Sequence, residues 1–396
     1  MRDRALLLVP LVMLAGACER KPNPAVISSR PVAAECVSRP DGSRWAGDYV
    51  ATATFGDSEG EELDGITVAG IATTDSMVYV LDSKRAALWL LLPDLDVVRR
   101  IGRDGRGPGE WRPFGGVSQG GSMRWVNASP TAVRLFDGER IQEFHPDGRF
   151  RRVLLNGAMQ AGVSPMQSRQ AFVGDTLLYS AGGYDVMASI STGGPARREI
   201  VAGRNPWWVR MRVGNEERAV LQLGLTPLHK VTVGPAQARP LWDTNGACAV
   251  ASDGAGPLLV YAPLGGTQDT VTVPLPDRVA RAEDFVEKMG GILPPGTRME
   301  EPSAPTRVRD LVIDPDGFVW LLPVQPSAGI PSGVEVVRVP LGGAPAVVDT
   351  VPAFPRAFGV PGVYFAETDG PNGEPLVVRY DRAAGDIDST ESPAER

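Results

Sequence analysis

Three features of this sequence predict an all-β protein built as a closed ring of similar sheets, a β-propeller. A short unit of sequence recurs along the chain, and strand candidates follow one another about every eight to twelve residues. In addition, the chain has an isolated strand near its start, and the last unit near its end lacks an outer strand. A unit this small cannot bury its own apolar face, so it has to stack on copies of itself. We therefore expect a six-bladed β-propeller, with seven blades as the alternative.

The repeated unit is clearest in two segments. From Val78 the chain reads VYVLDSKRAALWLLLPDLDVVRR, and from Val133 it reads VRLFDGERIQEFHPDGRFRRVL. Each copy has a strand that ends in Asp, an Arg three residues later, a second strand, a turn with Pro-Asp and a third strand. This order of strands and turns predicts one blade for each copy.

The rest of the chain contains further regular units, one irregular segment and one helical pattern. The irregular segment, 207–275, predicts either one decorated blade or two, and this choice decides between six and seven blades. Segment 277–289 has apolar residues on one helical face, Asp277 as N-cap and two glycines after its end, which predicts one short inserted helix. The regular units are 65–101, 117–155, 170–201 and 307–351.

The two ends of the propeller region predict how the ring closes. The last unit has strands at 363–367 and 376–380 but no outer strand, whereas 48–55 is an isolated strand. One terminus of a propeller commonly completes the blade that the other terminus begins, which protects sheet edges from aggregation. We therefore expect 48–55 to pair with the C-terminal strands.

The start of the chain resembles the signal of a bacterial lipoprotein. A charged beginning is followed by an apolar run at 5–17, too short to span a bilayer, and the small residues LAGA precede Cys18 as in a lipobox. This pattern predicts cleavage before Cys18 and acylation of that residue. We expect a signal peptide at 1–17, the lipidated Cys18 with a flexible tether at 18–45, the propeller at 46–385 and a disordered tail at 386–396.

Acylation of Cys18 would hold the protein to a membrane of the bacterial cell envelope, facing the periplasm or the exterior. Two cysteines then remain, Cys36 and Cys248, in a compartment where disulfides persist. The sequence leaves open whether they are bonded to each other or unrelated, because it does not give the distance between them. A formal net charge of −7 with scattered arginines argues against nucleic acid as a partner.

Motifs typical of enzymes are weak in this chain. Residues 116–120 match the pattern G-x-S-x-G around Ser118, but a turn and a strand follow where a nucleophile elbow needs a helix. The two histidines, His145 and His229, lack the spacing of metal ligands, and the glycines of 102–109 are typical of an inter-blade turn. We expect no catalytic residue, no metal site and no cofactor, and leave open a calcium ion in the central channel.

The best candidate for binding is the group Trp207, Trp208 and Arg210. Adjacent side chains of a strand point to opposite faces, so at most one of the two tryptophans is buried if the segment is extended. An exposed tryptophan beside arginine suits a carbohydrate, a peptide or a protein. The alternative is packing within a blade, because tryptophan is usually largely buried.

The motifs resemble those of a family, the NHL-repeat-like six-bladed β-propeller lipoproteins of exported bacterial proteins. Asp82 with Arg85, and Asp137 with Arg140, occupy the Asp and Arg positions of that pattern. The stretch IGRDGRGPGEW resembles the family's inter-blade linker, and RDLVIDPDGFVWLL, with Trp320, resembles a late blade. The resemblance implies a propeller and an extracytoplasmic location, but no agreed reaction.

These observations lead to one functional expectation and two alternatives. We expect a binding or interaction module whose loops around the channel contact a ligand or another envelope protein, a peptide or a carbohydrate, rather than an enzyme. The alternative is a propeller hydrolase or lyase that uses a metal in the central channel. A structural component of the envelope is the third hypothesis.

Overall fold

In the computed structural model, strands are joined by tight turns and by longer connections. Within the described part of the chain there is no helix, and none of its segments forms a helix that is long and apolar enough to cross a membrane. The structure describes residues 36, 38, 42–56, 66–82, 84–111, 125–137, 140–156, 170–181, 207–213, 216–223, 238, 240–281, 304–326, 333–341, 345–371 and 373–383.

The strands form six four-stranded antiparallel sheets, the blades. The first strand of the chain, β1 (Tyr49–Phe55), belongs to the last blade. Blade 1 contains β2 (Val68–Thr73), β3 (Val78–Asp82), β4 (Ala87–Leu91) and β5 (Val97–Ile101). Blade 2 contains β6 (Trp125–Ser129), β7 (Ala132–Phe136), β8 (Arg140–Phe144) and β9 (Phe150–Asn156). Blade 3 contains β10 (Gln170–Val173), β11 (Thr176–Ala181), β12 (Trp207–Val213) and β13 (Glu216–Leu223).

The second half of the chain forms the other three blades. Blade 4 contains β14 (Leu241–Thr244), β15 (Cys248–Ser252), β16 (Leu258–Pro263) and β17 (Asp269–Thr272). Blade 5 contains β18 (Val308–Ile313), β19 (Phe318–Pro323), β20 (Val334–Pro340) and β21 (Val347–Val351). Blade 6 contains β22 (Ala357–Phe358), β23 (Val363–Asp369), β24 (Pro375–Arg382) and β1.

The first strands of the blades surround a central axis. First strands of neighbouring blades lie against one another, as β2 does against β6 and β14 against β18. Hydrogen bonds join some of these strands directly. The Thr73 hydroxyl donates to the Phe358 carbonyl at 2.5 Å, and the Ile313 N–H donates to the Asp243 carboxylate at 3.0 Å. The fourth strand of each blade therefore lies on the outside of the ring.

Strand β1 closes the ring as the sequence predicts. It is the outermost strand of blade 6, where it pairs antiparallel with β24, from Tyr49 opposite Arg382 to Phe55 opposite Val377. The N-terminal strand thereby supplies the outer strand that the C-terminal unit lacks. Both the closure and the six-bladed fold are confirmed.

The irregular segment 207–275 is shared between two blades. Strands β12 and β13 complete blade 3, and the strands from β14 to β17 form blade 4. The predicted unit 170–201 therefore ends too early, and the seven-bladed alternative is wrong. The reason is the connection 182–206 between β11 and β12. It is far longer than a hairpin turn, so it separates two halves of one blade by more than the repeat spacing.

The predicted helix at 277–289 does not begin at Asp277. Residues 273–281 are irregular, because their amides have acceptors outside a helical pattern. The Arg278 N–H donates to the Pro276 carbonyl and the Ala280 N–H to the Thr306 carbonyl, both at 2.8 Å. A helical turn that loses its amides to other acceptors cannot nucleate. Residues 282–289 lie outside the described residues.

Apolar side chains fill the spaces between blades. Every residue of β3 and β4 is buried, because successive side chains point to opposite faces and each face of a blade is covered by a neighbour. Tyr79, Trp111 and Phe144 belong to one buried cluster between blades 1 and 2. Phe55 and Trp89 belong to another between blades 6 and 1, with ring centroids 5.5 Å apart.

We expect Phe55→Ala to destabilise the ring where its two ends meet. Phe55 is 3% exposed, and its removal would leave a cavity against Trp89, which predicts a loss of about 3–5 kcal/mol in the free energy of unfolding. Val50 lies on the same strand and is 51% exposed, so Val50→Ala should cost less than about 0.5 kcal/mol. Urea unfolding measures both variants, and equal effects would contradict the proposed role of Phe55.

Candidate functional site

The two ends of the channel differ in their connections. Because strands alternate in direction within a blade, the turns after its first and third strands lie at one face, which we call the short-turn face. The remaining connections leave from the opposite, long-loop face. The short-turn face has tight turns such as 130–131 and 174–175, and its longest connection is 341–346. The strands that flank the long connections 102–124, 182–206 and 273–307 end and begin at the long-loop face.

A segment that precedes β1 lies across the short-turn face. We call its described residues, Cys36, Ser38 and 42–45, the strap. The Ser38 hydroxyl donates to the Gly317 carbonyl in blade 5 at 2.9 Å, and the Trp45 indole N–H donates to the Val363 carbonyl in blade 6 at 3.0 Å. The strap is the described part of the predicted tether 18–45, and these residues are packed against the propeller.

A disulfide joins the strap to blade 4. Cys36 is bonded to Cys248, at the start of β15, with the two Cα atoms 5.6 Å apart. Both cysteines belong to a buried apolar cluster between blades 4 and 5. The pairing that the sequence left open is therefore present, and the strap contacts three successive blades.

A buried carboxylate holds the middle of the strap. Asp314, fully buried in the turn after β18, accepts hydrogen bonds from the Ser43 hydroxyl at 2.5 Å and from the Trp320 indole N–H at 2.9 Å. Burial raises the pKa of the Asp314 carboxyl, and the bonds from Ser43 and Trp320 oppose that rise. Nearby, the Arg44 guanidinium forms an ion pair with Asp316 at 3.0 Å. The strap is thus fixed by polar contacts as well as by the disulfide.

Replacing both cysteines by serine should weaken the whole propeller. The bond closes a loop of 212 residues, so Cys36→Ser with Cys248→Ser is expected to lower the free energy of unfolding by about 2–5 kcal/mol. Thermal unfolding with and without dithiothreitol tests this, because the reductant should shift the wild type and leave the double variant unchanged. Two titratable thiols in the oxidised native wild-type protein would contradict the bond.

Charged side chains cluster at the opposite end of the channel, between blades 5 and 6. We call Arg309, Asp310, Arg356 and Glu367 the mouth cluster. Arg309 and Asp310 lie near the start of β18, Arg356 directly precedes β22, and Glu367 lies towards the end of β23. Each of these positions is at the long-loop end of its strand. The cluster therefore stands where the channel opens on the long-loop face.

A β-bulge and an ion pair set the geometry of the mouth cluster. The register between β18 and β19 shifts between Val308 and Asp310, so Arg309 is the extra residue and its side chain is exposed. Bulges commonly re-aim a side chain in this way next to functional sites. Arg356 forms an ion pair with Asp310 across the boundary between blades 6 and 5. The guanidinium of Arg356 is therefore held by Asp310, and the side chain of Arg309 is exposed to solvent.

The carboxylate of Glu367 is electrostatically perturbed. Desolvation raises the pKa of Glu367 above its usual value, the Arg356 guanidinium opposes this, and the nearby Asp369 adds to the rise. The mouth cluster combines donors from two guanidiniums with acceptors from two carboxyl groups. Such a set can bind a ligand that carries both hydrogen-bond donors and acceptors.

The structure places the predicted binding group elsewhere. Trp207, Trp208 and Arg210 lie in β12, the third strand of blade 3. Arg210 pairs with Tyr179 on one side and with Ala219 on the other, and its side chain is half-buried. The tryptophan side chains lie outside the described residues, so their role in binding stays a prediction. No motif in the sequence marks the bulge at Arg309, so the mouth cluster was not predicted.

Other predicted positions are not brought together by the described part of the structure. Cys18, Ser118 and His229 lie outside the described residues. His145 is in the turn between β8 and β9, where its N–H donates to the Arg149 carbonyl at 2.8 Å. Among the described residues, no group of three or more His, Cys, Asp or Glu is placed to hold a metal ion. The calcium ion left open for the channel stays a prediction.

The Asp-x-x-Arg pairs have a structural role. Arg140 forms an ion pair with Asp137 at 3.0 Å, and its guanidinium also donates to the carbonyls of Arg106 and Glu110, both at 2.8 Å. The pair in blade 2 therefore fixes the glycine-rich linker that comes from blade 1. Asp82 and Arg85 form the corresponding ion pair in blade 1, at 3.3 Å.

The closed ring, the strap and the mouth cluster define an all-β protein of the six-bladed propeller class, with one face partly covered and a candidate binding site at the other. No protein-family profile matches the chain, and no curated protein matches it.

Several solved structures are similar to this chain, all at low sequence identity. A protein of Bacteroides fragilis assigned as exported is 10% identical, covers 85% of this chain and 95% of its own, and has a TM-score of 0.44. Regucalcin, a calcium-binding protein from Agrobacterium tumefaciens, is 10% identical over 85% and 97%, with a TM-score of 0.41. Virginiamycin B lyase from Staphylococcus aureus is 9% identical over 85% and 99%, with a TM-score of 0.38. At these identities none of them supplies a site or an activity for this chain.

Proposed function

We propose that this protein is a binding module of the cell envelope, and that it contacts its ligand or protein partner through the mouth cluster. The observation that supports this is the difference between the two faces. The strap and the tight turns occupy the short-turn face. The long-loop face has the longer connections and the charged opening of the channel.

The chemistry of the mouth cluster suits a polar ligand such as a peptide or a carbohydrate. The ion pair between Asp310 and Arg356 is part of the blade contact and keeps these groups in place before a ligand arrives, which lowers the entropic cost of binding. Arg309, Arg356 and Glu367 are all exposed, and Arg356 is already held by Asp310. We therefore assign to Arg309 and Glu367 the contacts that decide affinity, and to the ion pair a supporting role.

We propose a membrane anchor at Cys18, which the preceding residues LAGA support. In this proposal, residues 18–35 link the acylated cysteine to Cys36, a distance of about 60 Å at full extension. The chain enters the propeller on the short-turn face, where Cys36 is bonded to Cys248. In this proposal the anchored propeller faces the periplasm or the exterior.

The mouth cluster can be tested on arrays of bacterial glycans and peptides. We expect Arg309→Ala and Glu367→Gln each to reduce binding of the array ligands at least tenfold, because each removes an exposed polar contact. Asp75→Asn is the matched control, since Asp75 is exposed in a turn of the short-turn face and its carboxyl is also changed to an amide. Equal binding by all three variants would show that the mouth cluster is not the site.

The anchor is tested separately by Cys18→Ser. If Cys18 is acylated, the wild-type protein should enter the detergent phase on Triton X-114 partition, and the variant should stay in the aqueous phase or keep its signal peptide. Mass spectrometry of the mature N-terminus identifies the modification. Detergent partition and processing of the variant like those of the parent would contradict acylation at Cys18.

A further inference from the structure

Exposed apolar side chains are concentrated on one half of the short-turn face. Ten large apolar side chains are exposed in the described part of the chain, and seven of them lie at the short-turn end of blades 5, 6 and 1. These blades are consecutive in the ring. We call the seven residues the apolar rim: Val50, Leu92, Val97, Val98, Val347, Val348 and Val360. Single exposed apolar side chains are ordinary on a protein surface, whereas a group of them marks an interaction site.

The strand directions place the apolar rim at one level of the propeller. Leu92 and Val360 lie in turns of the short-turn face, after β4 and β22. Strands β5 and β21 start at this face, and each begins with two of the valines. Val50 is the second residue of β1, opposite Asp381 near the end of β24. Side chains at one level can contact a flat surface together, even where neighbouring residues of a strand point to opposite faces of a blade.

The outer strands of the other three blades start with a different composition. Strand β9 begins with the half-buried Phe150 followed by Arg151, β13 begins with two glutamates, and β17 begins with Asp269 and Thr270. Charged residues on an outer strand discourage sheets from pairing at their edges. The paired valines at the start of β5 and β21 do not serve that purpose and need another explanation.

The layout and size of the apolar rim favour a lipid surface over a protein partner. Its side chains are exposed at turns and strand ends of three blades, which suits contact with a flat surface. Seven residues are also far fewer than the roughly 20–30 that each partner contributes to a stable protein interface. A bilayer sets no such minimum, and aliphatic side chains can enter its interfacial region.

Exposed acidic residues near the apolar rim narrow the class of lipid. Asp94 and Asp96 are exposed in the turn that contains Leu92, and Asp48 is exposed two residues before Val50. A twofold contact between two copies joins the same patch on both, so it would bring these carboxylates close to their counterparts. An anionic bilayer would repel them as well. The charges therefore favour a zwitterionic lipid surface.

We propose that the apolar rim contacts the membrane to which the protein is anchored, with its aliphatic side chains in the interfacial region of a zwitterionic leaflet. This inference rests on the anchor proposed at Cys18, because a few aliphatic side chains bind too weakly to hold a protein at a membrane by themselves. The strap crosses the same sector, from Cys36 beside blade 4, over blade 5, to β1 in blade 6. The contact leaves the mouth cluster at the opposite end of the channel, open to its ligand.

Environment-sensitive labels test the contact in vesicles of phosphatidylethanolamine and phosphatidylcholine that carry the mature full chain. Val98→Cys and Val348→Cys introduce labelling sites in the apolar rim, since the native Cys36 and Cys248 are bonded to each other. Val153→Cys is the matched control, because Val153 is also an exposed valine of an outer strand but is the fourth residue of β9 in blade 2. We expect iodide to quench the labels at 98 and 348 at least threefold less than the label at 153, since a lipid interface disfavours the ion.

A double variant, Val50→Asp with Val97→Asp, should restore quenching of the label at 348, because aspartate is costly in a lipid interface. Both valines are exposed, so the change should leave the fold intact. Equal quenching at all three labelled positions, in protein that floats with the vesicles, would overturn the contact and leave the anchor standing. Protein that does not float with the vesicles would overturn the anchor and the contact together. Dimers in detergent solution that the double variant abolishes would assign the apolar rim to a second copy and overturn the lipid contact.

Discussion

A blade of this protein cannot be stable without a neighbour on each face. Strands such as β3 and β4 are buried along their whole length, so the two blades that flank a break in the ring would expose apolar side chains to water. Two contacts keep the ring closed, one within blade 6 and one between blades 6 and 1. The backbone of β1 pairs with β24, and Phe55 packs on Trp89 in the next blade. The strap, the channel and the mouth cluster all depend on this closure.

Much of the fold could be predicted because the strand pattern is periodic. The spare strand at 48–55 predicted the closure of the ring without any knowledge of distances. Prediction failed where long-range contacts decide the local structure. Because the connection 182–206 is long, the two halves of blade 3 were assigned to different units. The Ala280 N–H, which the expected helix needed, donates to the Thr306 carbonyl instead. A sequence pattern cannot show which acceptor the folded chain brings to an amide.

The candidate sites were harder to predict than the fold for the same reason. Arg309 gains its exposure from a one-residue shift of register, which no residue type signals. Asp310 and Arg356 are 46 positions apart in the sequence and form an ion pair only because blade 6 packs on blade 5. The Asp-x-x-Arg motif was visible as a repeat, but its function of fixing a linker through Arg140 required the carbonyls of that linker.

The closure of the ring also determines when the protein can fold. The side chains of Thr52 and Asp381 meet although they are 329 positions apart, and the disulfide joins cysteines separated by 212. Contacts of such long range make folding slow, because loop-closure entropy is lost before they form. During synthesis, β1 has no partner until β24 has left the ribosome. The last blade is therefore completed after all the others, and β1 remains an unpaired strand, open to aggregation, until then.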